Sequence, residues 1–386
     1  MSTKVSYVWK DAASVGEYRT GISLHGHTQY SKETLHFISV FMQKWPALQR
    51  AMDRKCKKSN VPVDFSKSYW TPPLTPKLAF ELERNQIESV LGLASLVSLT
   101  DHDSIEAPCI LRRAEETAEV PISFEWSVPF GETVFHLGIH NLPSDQAQEI
   151  FAELELFTEK SSDHTVTELL ARLHELPDVL IVFNHPMWNM YGFGFDQQTQ
   201  HVERFLEKNN KFIHAFELNG MRRWDENKRI GPLAERWKRP LISGGDRHGC
   251  EPNANLNLSN ARSFTEFVHE VRYEQRSHVL FMEQYTNPML VRVIRSVLDV
   301  IRYYPEHPAG SRSWDDRVFH PDITGVAYRS LSELWGEPPK YIQGTFSLFR
   351  LAEHATVQWA LTHVSETPIR AKDSLMLPEG ASERIR

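Results

Sequence analysis

Residues 21–28 read GISLHGHT, a short apolar run typical of a buried β-strand that is followed at once by two histidines, His25 and His27. Residues 240–249, PLISGGDRHG, show the same arrangement roughly 220 residues later, with Asp246 and His248 at the same spacing. Because residues i and i+2 of a strand point to the same face, each pair can aim both side chains into one site. The two stretches therefore predict strands that end beside one another at a polar site.

Short apolar runs alternate with segments of helical period from about residue 19 to residue 283. This alternation is typical of βα units and predicts an α/β fold built on a parallel sheet or barrel. Two regions interrupt it, a long connection over about residues 31–86 and a mainly helical pattern over residues 284–386. We therefore expect one domain, 1–283, with a helical insertion after its first strand, and a helical C-terminal extension.

Composition and charge narrow the class of protein. The 386-residue chain is 41% hydrophobic and carries a net charge of −7, which gives it no overall attraction to long nucleic acid. Its three cysteines show no CxxC spacing, so the sequence predicts neither a disulfide framework nor a thiolate zinc site. The first residues lack the apolar core of a signal peptide, and no run approaches the roughly 18 apolar residues of a membrane helix. We expect a cytoplasmic protein with no membrane partner.

Side chains of the kind that bind metals follow most of the predicted strands. At that end of a barrel the loops converge, so residues distant in sequence meet there, and burying them together would be costly without a cation. Imidazole and carboxylate ligands without thiolate suit Zn, Mn or Fe, and this many ligands exceed what one ion can bind. At least two divalent metal ions, with one bridging carboxylate, are therefore predicted. The residues concerned are His25, His27, Asp101, His102, Glu125, His136, His185, Glu217, Asp246 and His248.

The order of these motifs resembles the PHP domain, the family named for polymerase and histidinol phosphatase. The resemblance covers about residues 19–283 and is carried by HxH, TDHD, Glu125 with His136 eleven residues later, NHP, ELNG and GGDRHG. The spacing of Glu125 and His136 is most similar to bacterial PHP phosphoesterases that act on nucleotides and short oligonucleotides. What the resemblance implies is a distorted (β/α)7 barrel with two or three metal ions.

The resemblance also implies a ligand set. His25, His27 and Asp246 would hold a first metal with Glu125 bridging, and the second and third metals would be completed by His136 with His185 and by His102 with His248. Asp101 would be a catalytic residue that orients a neighbouring ligand.

Two positions depart from the family pattern. Ser23 stands where the family has Asp before HxH, which leaves one supporting hydrogen bond in question. Lys32 stands where the family has an extra ligand, with Glu33 beside it. A two-metal enzyme is therefore an alternative unless Glu33 reaches the site.

Two neighbouring cations suit attack on a phosphoester, because they lower the pKa of a shared water and stabilise charge on phosphoryl oxygens. We predict a metal-dependent phosphoesterase that uses a metal-activated hydroxide on a phosphomonoester, a small nucleotide or a short oligonucleotide. Candidate residues toward that substrate are catalytic Arg247 and the binding residues Arg222, Arg223, Trp188 and Asn189.

Two other functions stay open from the sequence. Related barrels with similar ligands hydrolyse amides, so a metal-dependent amidohydrolase is one alternative. The other is a non-catalytic metal-binding regulatory or assembly module that uses the C-terminal helices as its partner surface, where a homo-oligomer could form.

Overall fold

The structure is a computed structural model that describes residues 2–35, 50, 54, 64–161, 163–189, 192–322, 324–325 and 327–336. Much of the predicted insertion, residues 36–49, 51–53 and 55–63, and residues 337–386 of the predicted extension lie outside the described residues. Among the helices that the structure describes, none is long and apolar enough to cross a membrane.

The described strands are numbered in chain order. They are β1 Ser2–Tyr7, β2 Thr20–Leu24, β3 Glu33–Thr34, β4 Tyr69–Trp70, β5 Ala94–Ser98, β6 Ile122–Phe130, β7 Thr133–Leu142, β8 Leu180–Asn184, β9 Ala215–Asn219, β10 Leu241–Gly244, β11 Asn255–Ser259, β12 Arg276–Phe281, β13 Val318–Pro321 and β14 Tyr328–Ser330.

The described α-helices alternate with these strands over much of the chain. They are α1 Val8–Val15, α2 Pro76–Asn85, α3 Glu106–Leu111, α4 Ala147–Glu159, α5 Asp163–Glu175, α6 Phe195–Asn209, α7 Trp224–Trp237, α8 Phe264–Arg272, α9 Met289–Ile301 and α10 Leu331–Trp335.

In the described part of the chain the strands form three separate sheets, two of them mixed and the third antiparallel. Their orders are β1-β12-β11-β2-β5, β10-β9-β8-β7-β6 and β14-β13-β4-β3, and none of the three closes on itself. The expectation of a single distorted (β/α)7 barrel is therefore wrong. The α/β content is present, but it is divided among sheets that contain antiparallel pairs.

The β6–β7 hairpin shows why the apolar runs misled the prediction. The two strands are joined only by Gly131 and Glu132, and Gly131 has a φ of +60°, which glycine adopts at little cost. A connection this short can join only antiparallel strands, because a parallel pair needs a crossover of about a dozen residues or more. β11 likewise runs antiparallel to both β12 and β2.

The first and second sheets share one apolar cluster. Ile22 of β2 packs there with Val182 of β8, Ala215 of β9 and Ile242 of β10, and Phe267 of α8 belongs to the same cluster. All five side chains are almost fully buried. The two sheets are thus held together by a core whose strands lead directly into the candidate site.

The third sheet joins the predicted insertion to the predicted extension. Trp70 of β4 pairs with Glu33 of β3 on one side and with Val318 of β13 on the other. The described part of the predicted helical extension therefore also contains two strands, β13 and β14. The proposed division at residues 283 and 284 stays a prediction.

Candidate metal centre

The two ligand pairs lie in turns that run side by side. β2 ends at Leu24 and β10 at Gly244, so both pairs come after their strands. The His27 N–H donates to Arg247 O over 2.9 Å, and the Asp246 N–H donates to His25 O over 2.6 Å. His25 and Asp246 have φ values of +61° and +55°, in the left-handed region that the backbone of residues other than glycine seldom adopts. Turns, rather than the alternation of an ideal strand, bring the side chains together.

Glu125 lies at the centre of the site. Its side chain is completely buried in the middle of β6, and its Oε2 faces three imidazoles from two different turns. The distances are 2.8 Å to His25 Nε2, 3.0 Å to His102 Nε2 and 3.4 Å to His27 Nε2. An isolated parallel bridge between His102 and Glu125 fixes the turn after β5 against β6.

The other oxygen of Glu125 faces a second group of residues. Its Oε1 lies 3.1 Å from His185 Nε2 and 3.4 Å from His136 Nδ1, and it accepts a hydrogen bond of 3.0 Å from Asn184 Nδ2. His136 pairs with Asn184 across β7 and β8, so the register of these strands places all three groups. One carboxylate therefore joins two sets of histidines.

Asp246 reaches the same centre from the turn after β10. Its Oδ1 lies 3.5 Å from His27 Nε2 and 3.7 Å from His25 Nε2. Its Oδ2 accepts hydrogen bonds of 3.2 Å from Asn219 Nδ2 and from a terminal nitrogen of Arg222. The carboxylate thus faces the histidines with one oxygen and is anchored by the other.

Glu33, rather than Lys32, reaches the site at its other end. Its carboxylate lies 3.1 Å from His248 Nε2, 3.3 Å from His102 Nε2 and 3.4 Å from His27 Nδ1. Lys32 points to the surface, where its Nζ lies 3.2 Å from Glu155. The carboxylate missing at position 32 is therefore supplied by the next residue.

The site combines ionised carboxylate with both neutral and protonated imidazoles. Burial alone would raise the pKa of Glu125, but the nearby His102 and His25 outweigh it and hold that pKa well below its ordinary value. Burial lowers the pKa of His27 to about 3 and of His136 to about 4, so both imidazoles are neutral at neutral pH. Burial would lower the pKa of His25 and of His248, but Glu125 and Glu217 raise the pKa of His25 well above its ordinary value, and Glu33 raises that of His248 to about 9. Because metals bind neutral imidazole and ionised carboxylate, these two histidines would release a proton when a metal binds.

Two unpartnered atoms test the fit to a metal. His27 Nε2 and His136 Nδ1 are buried without a hydrogen-bond partner, although each faces a Glu125 oxygen. A buried polar atom without a partner is costly, and a metal ion would satisfy both nitrogens. Within the described residues, three groups have ligand atoms close enough to share an ion, namely His25–His27–Glu125, His102–Glu125–His136 and His27–Glu33–His102–His248.

Glu217 supports the site from behind. Its Oε1 lies 2.5 Å from His25 Nδ1, and its Oε2 accepts a hydrogen bond of 2.6 Å from the His185 N–H. A Cβ at Gly244 would lie 1.4 Å from Oε1, so only glycine leaves room for this carboxylate. The sequence shows Glu217 at a strand end, but no motif assigned it this role. The glycine pair before Asp246 is the signal that could have done so.

Asp101 contacts the loop after His27 and no histidine ligand directly. Its Oδ1 accepts a hydrogen bond of 2.5 Å from the Thr28 N–H, and its Oδ2 accepts one of 2.7 Å from Thr28 Oγ1. Burial raises the pKa of this carboxyl to about 7, although the bonds from Thr28 oppose the shift. Asp101 thus holds the turn that carries the HxH pair.

Arg222 and Trp188 lie together at the edge of the site. The Arg222 guanidinium carbon is 4.6 Å from the centre of a Trp188 ring, whose own neighbours are His136 at 5.4 Å and His185 at 5.2 Å. The Arg222 side chain is 19% exposed, so the guanidinium can meet both Asp246 and a ligand from outside.

The three other residues predicted toward the substrate make contacts of their own. Arg247 turns away from the site to Glu83 and to the carbonyl of Gly249, because the residue between Asp246 and His248 faces the opposite side of the turn. Arg223 is half exposed beside Asp225, and Asn189 accepts a 2.8 Å hydrogen bond from the Phe193 N–H within its own loop.

Comparisons with known proteins give distant structural likenesses. No family model matches the chain, and no curated protein matches it. The fold is similar to that of a candidate metal-dependent phosphoesterase from Bifidobacterium adolescentis, with 13% identity and a TM-score of 0.34 over 66% of this chain and 95% of that one.

Two further solved structures are similar at the same level. One is an amidohydrolase from Chromobacterium violaceum with bound sulfate and no metal, with 15% identity and a TM-score of 0.32 over 59% of this chain and 87% of that one. The other is PsfC from Pseudomonas syringae, with 13% identity and a TM-score of 0.34 over 73% of this chain and 99% of that one. Such distant likenesses assign no function, and membership of the PHP family stays a prediction.

Proposed function

We propose that this chain is a metal-dependent hydrolase that cleaves phosphoester bonds. The observation that carries the proposal is Glu125, a completely buried carboxylate whose two oxygens face two different sets of imidazoles within 3.4 Å. A carboxylate in this position can bridge two cations, and the surrounding nitrogens can complete both ligand sets.

The proposed ligand sets are those that the PHP resemblance implies, with Glu33 added to the third. His25, His27 and Asp246 would hold one metal with Glu125, while His136 and His185 would hold a second through its other oxygen. A third group consists of Glu33, His102 and His248. We propose two or three divalent metal ions, of Zn, Mn or Fe, because the donors are nitrogen and oxygen without thiolate.

When bound, such ions would lower the pKa of a water between them and neutralise charge on phosphoryl oxygens. Arg222 favours an anionic substrate, because its guanidinium is partly exposed beside Asp246. The Trp188 ring forms a flat wall between Arg222 and the histidines, against which the remainder of a small phosphate ester could pack. A phosphomonoester, a small nucleotide or a short oligonucleotide is therefore the proposed substrate.

Elemental analysis and a substrate panel test the proposal on one preparation. The wild type is expected to carry two or more metal ions per chain and to hydrolyse an aryl phosphate but not an aryl amide. Loss of a residue that only hydrogen-bonds to a metal ligand typically lowers activity by about 10- to 100-fold. Asp246→Ala removes a proposed ligand itself, so activity should fall by more than that. Asp145→Ala, at an exposed position, is the control and should leave activity unchanged.

Each contrary result selects another function. Hydrolysis of the amide alone would favour an amidohydrolase. Bound metal without hydrolysis of either substrate would favour a regulatory or assembly module. Well-folded protein that binds neither Zn²⁺ nor Mn²⁺ would overturn the metal centre itself.

Glu33 and Lys32 give a separate test of the third metal. Glu33→Gln should reduce the metal content by one ion per chain, because the carboxylate lies between His102 and His248. Lys32→Asp should gain no metal, because that side chain points to Glu155 at the surface. A gain of metal in Lys32→Asp would contradict the assignment of Glu33.

A further inference from the structure

A second buried carboxylate, Glu83 of α2, lies behind the metal centre without contacting it. Only 1% of Glu83 is exposed. Its Oε1 lies 3.0 Å from Arg247 Nε, its Oε2 accepts a 2.9 Å hydrogen bond from Ser23 Oγ, and both oxygens face the Asn253 N–H at 3.1 Å. The donors to this carboxylate are thus Ser23, Arg247 and Asn253.

Two of the donors to Glu83, Ser23 and Arg247, are close in sequence to the proposed metal ligands. Ser23 comes two residues before His25, and Arg247 lies between Asp246 and His248. Asn253 adds a further link, because its Nδ2 donates to Ser23 Oγ over 2.8 Å and to Leu24 O over 2.9 Å. One carboxylate from the predicted insertion therefore joins both turns on the side opposite the metals.

The close fit of Arg247 depends on the residue between the two histidines. A Cβ at Gly26 would lie 3.2 Å from a terminal nitrogen of Arg247, which is closer than an ordinary contact. The guanidinium thus packs against the middle of the HxH turn while it pairs with Glu83. Movement of Arg247 would shift both turns together.

Stability alone is a poor explanation for a buried ion pair. Removing two charges from water costs free energy that their attraction often fails to recover, and apolar replacements can be as stable or more so. One terminal nitrogen of Arg247 is also buried without a hydrogen-bond partner. The better-attested role of such a pair is to select one arrangement of the elements it connects.

We infer that Glu83 is a positioning residue whose ion pair with Arg247 sets the spacing of the HxH turn and the Asp246 turn, and with it the affinity for the metal held by His25, His27 and Asp246. The inference rests on the proposed metal centre. It also explains the departure at position 23, where the PHP pattern has an aspartate on the strand. Here Ser23 donates a hydrogen bond to Glu83, so α2 supplies the carboxylate instead.

The test is a metal titration with Zn²⁺ and with Mn²⁺ on the full chain, alongside thermal unfolding of the metal-free protein. The variant is Glu83→Gln with Arg247→Met, which removes both charges while glutamine can still accept from Ser23 and Asn253. The control is Glu81→Gln on the same helix, whose partner is the exposed Lys77 at 3.9 Å. The single variant Glu83→Gln leaves Arg247 unpaired and serves as the destabilised comparison.

We expect the double variant to unfold at the wild-type temperature or above. Its tightest metal should bind about 10- to 100-fold more weakly, which is the usual effect of removing a residue that supports a metal ligand. Glu81→Gln should bind as the wild type does. Wild-type affinity in a folded double variant would overturn the inference alone. A wild type that binds neither ion would overturn the proposed function together with it.

Discussion

At the scale of single residues, Glu125 decides what the site can bind. It is fully buried, and five imidazole nitrogens lie within 3.4 Å of its two oxygens. A carboxylate so placed is stable in its charged form only where positive charge surrounds it. The histidines supply part of that charge, and the proposed metals would supply the remainder.

Glu125→Gln tests this role with almost no change of shape. The amide cannot bridge two cations, so metal affinity should fall by at least about 100-fold. That is more than the loss of affinity expected when a residue that only hydrogen-bonds to a ligand is removed. Competition with a chelator measures the affinity. The exposed Glu132→Gln, in the β6–β7 turn, is the matched control. Unchanged metal binding in Glu125→Gln would remove Glu125 from the centre.

Gly244 offers a second residue-scale prediction. A Cβ at this position would lie 1.4 Å from Glu217 Oε1, so Gly244→Ala must displace the carboxylate that orients His25. We expect a loss of about 1–3 kcal/mol in the free energy of unfolding from overpacking, and about 10- to 100-fold weaker metal binding. Urea unfolding and metal titration measure the two effects. Metal affinity equal to wild type would show that Glu217 does not position His25.

At the scale of secondary-structure elements, the third sheet brings Glu33 to the centre. β3 carries Glu33, β4 pairs with it through Trp70, and β13 holds β4 from the predicted extension. The Tyr69 and Phe319 rings stack between β4 and β13 with centres 5.0 Å apart. The extension thus helps to position Glu33, a proposed metal ligand that lies about 285 residues earlier in the sequence.

Phe319→Ala should therefore act on the metal held by Glu33. Loss of the stacked pair is expected to cost about 1 kcal/mol and to loosen β4, so the chain should bind one metal ion more weakly. The result should resemble a mild form of Glu33→Gln in a metal titration. Phe195→Ala, which removes a half-exposed ring from α6, is the control. Identical titrations of Phe319→Ala and wild type would uncouple this sheet from the site.

The pairing of β1 with β12 predicts a dependence on pH. Burial lowers the pKa of His278 from 6.5 to about 4, and its Nε2 lies 2.6 Å from Ser6 Oγ. The unfolded chain then takes up a proton below pH 6.5 that the folded chain refuses until about pH 4. This contribution to stability is complete above pH 6.5 and is lost as the pH falls through that window.

His278→Gln removes the titrating group while it keeps a hydrogen-bonding side chain. Urea unfolding at pH 7.5 and pH 5 should show a smaller loss of stability on acidification in the variant than in the wild type. All other histidines are common to both proteins, so their effects cancel in the comparison. Equal losses in the two proteins would contradict the assignment.

At the scale of the whole molecule, the site lies where segments from the first, second and third sheets meet. The histidines and carboxylates are buried between turns that no single element fixes. Removal of metal should therefore loosen the fold as well as abolish binding. The metal centre is expected to contribute to the stability of the entire chain.

Thermal unfolding with and without metal tests this coupling. A ligand at 100 times its dissociation constant stabilises a folded protein by about 2.7 kcal/mol, which corresponds to a rise of roughly 3 °C in Tm for a chain of this size. Chelator should lower the Tm of the wild type by more than that of Asp246→Ala, which lacks a ligand to one of the proposed metals. Equal responses of the two proteins to Zn²⁺ would place the stabilising metal elsewhere.

The sequence predicts the residue types of the site better than it predicts the directions of the strands. Most of the residue types that meet at the site follow from the sequence, because they come just after apolar runs, although Glu125 and His136 lie inside β6 and β7. The barrel did not follow, since apolar runs reveal strands but not their direction, and a two-residue turn made β6 and β7 antiparallel. The sequence shows no apolar run at β11, because its alternate positions, Asn255 and Asn257, are polar although fully buried.

The sequence by itself determined the chemistry of the centre, because imidazole and carboxylate donors keep their preference for particular cations wherever they are placed. Only the tertiary structure decided which way each side chain points. It turned Arg247 toward Glu83 and Arg222 toward Asp246, and it brought Glu33 inward while Lys32 remained at the surface. Those directions depend on left-handed turns and on contacts between distant segments, which local sequence does not specify.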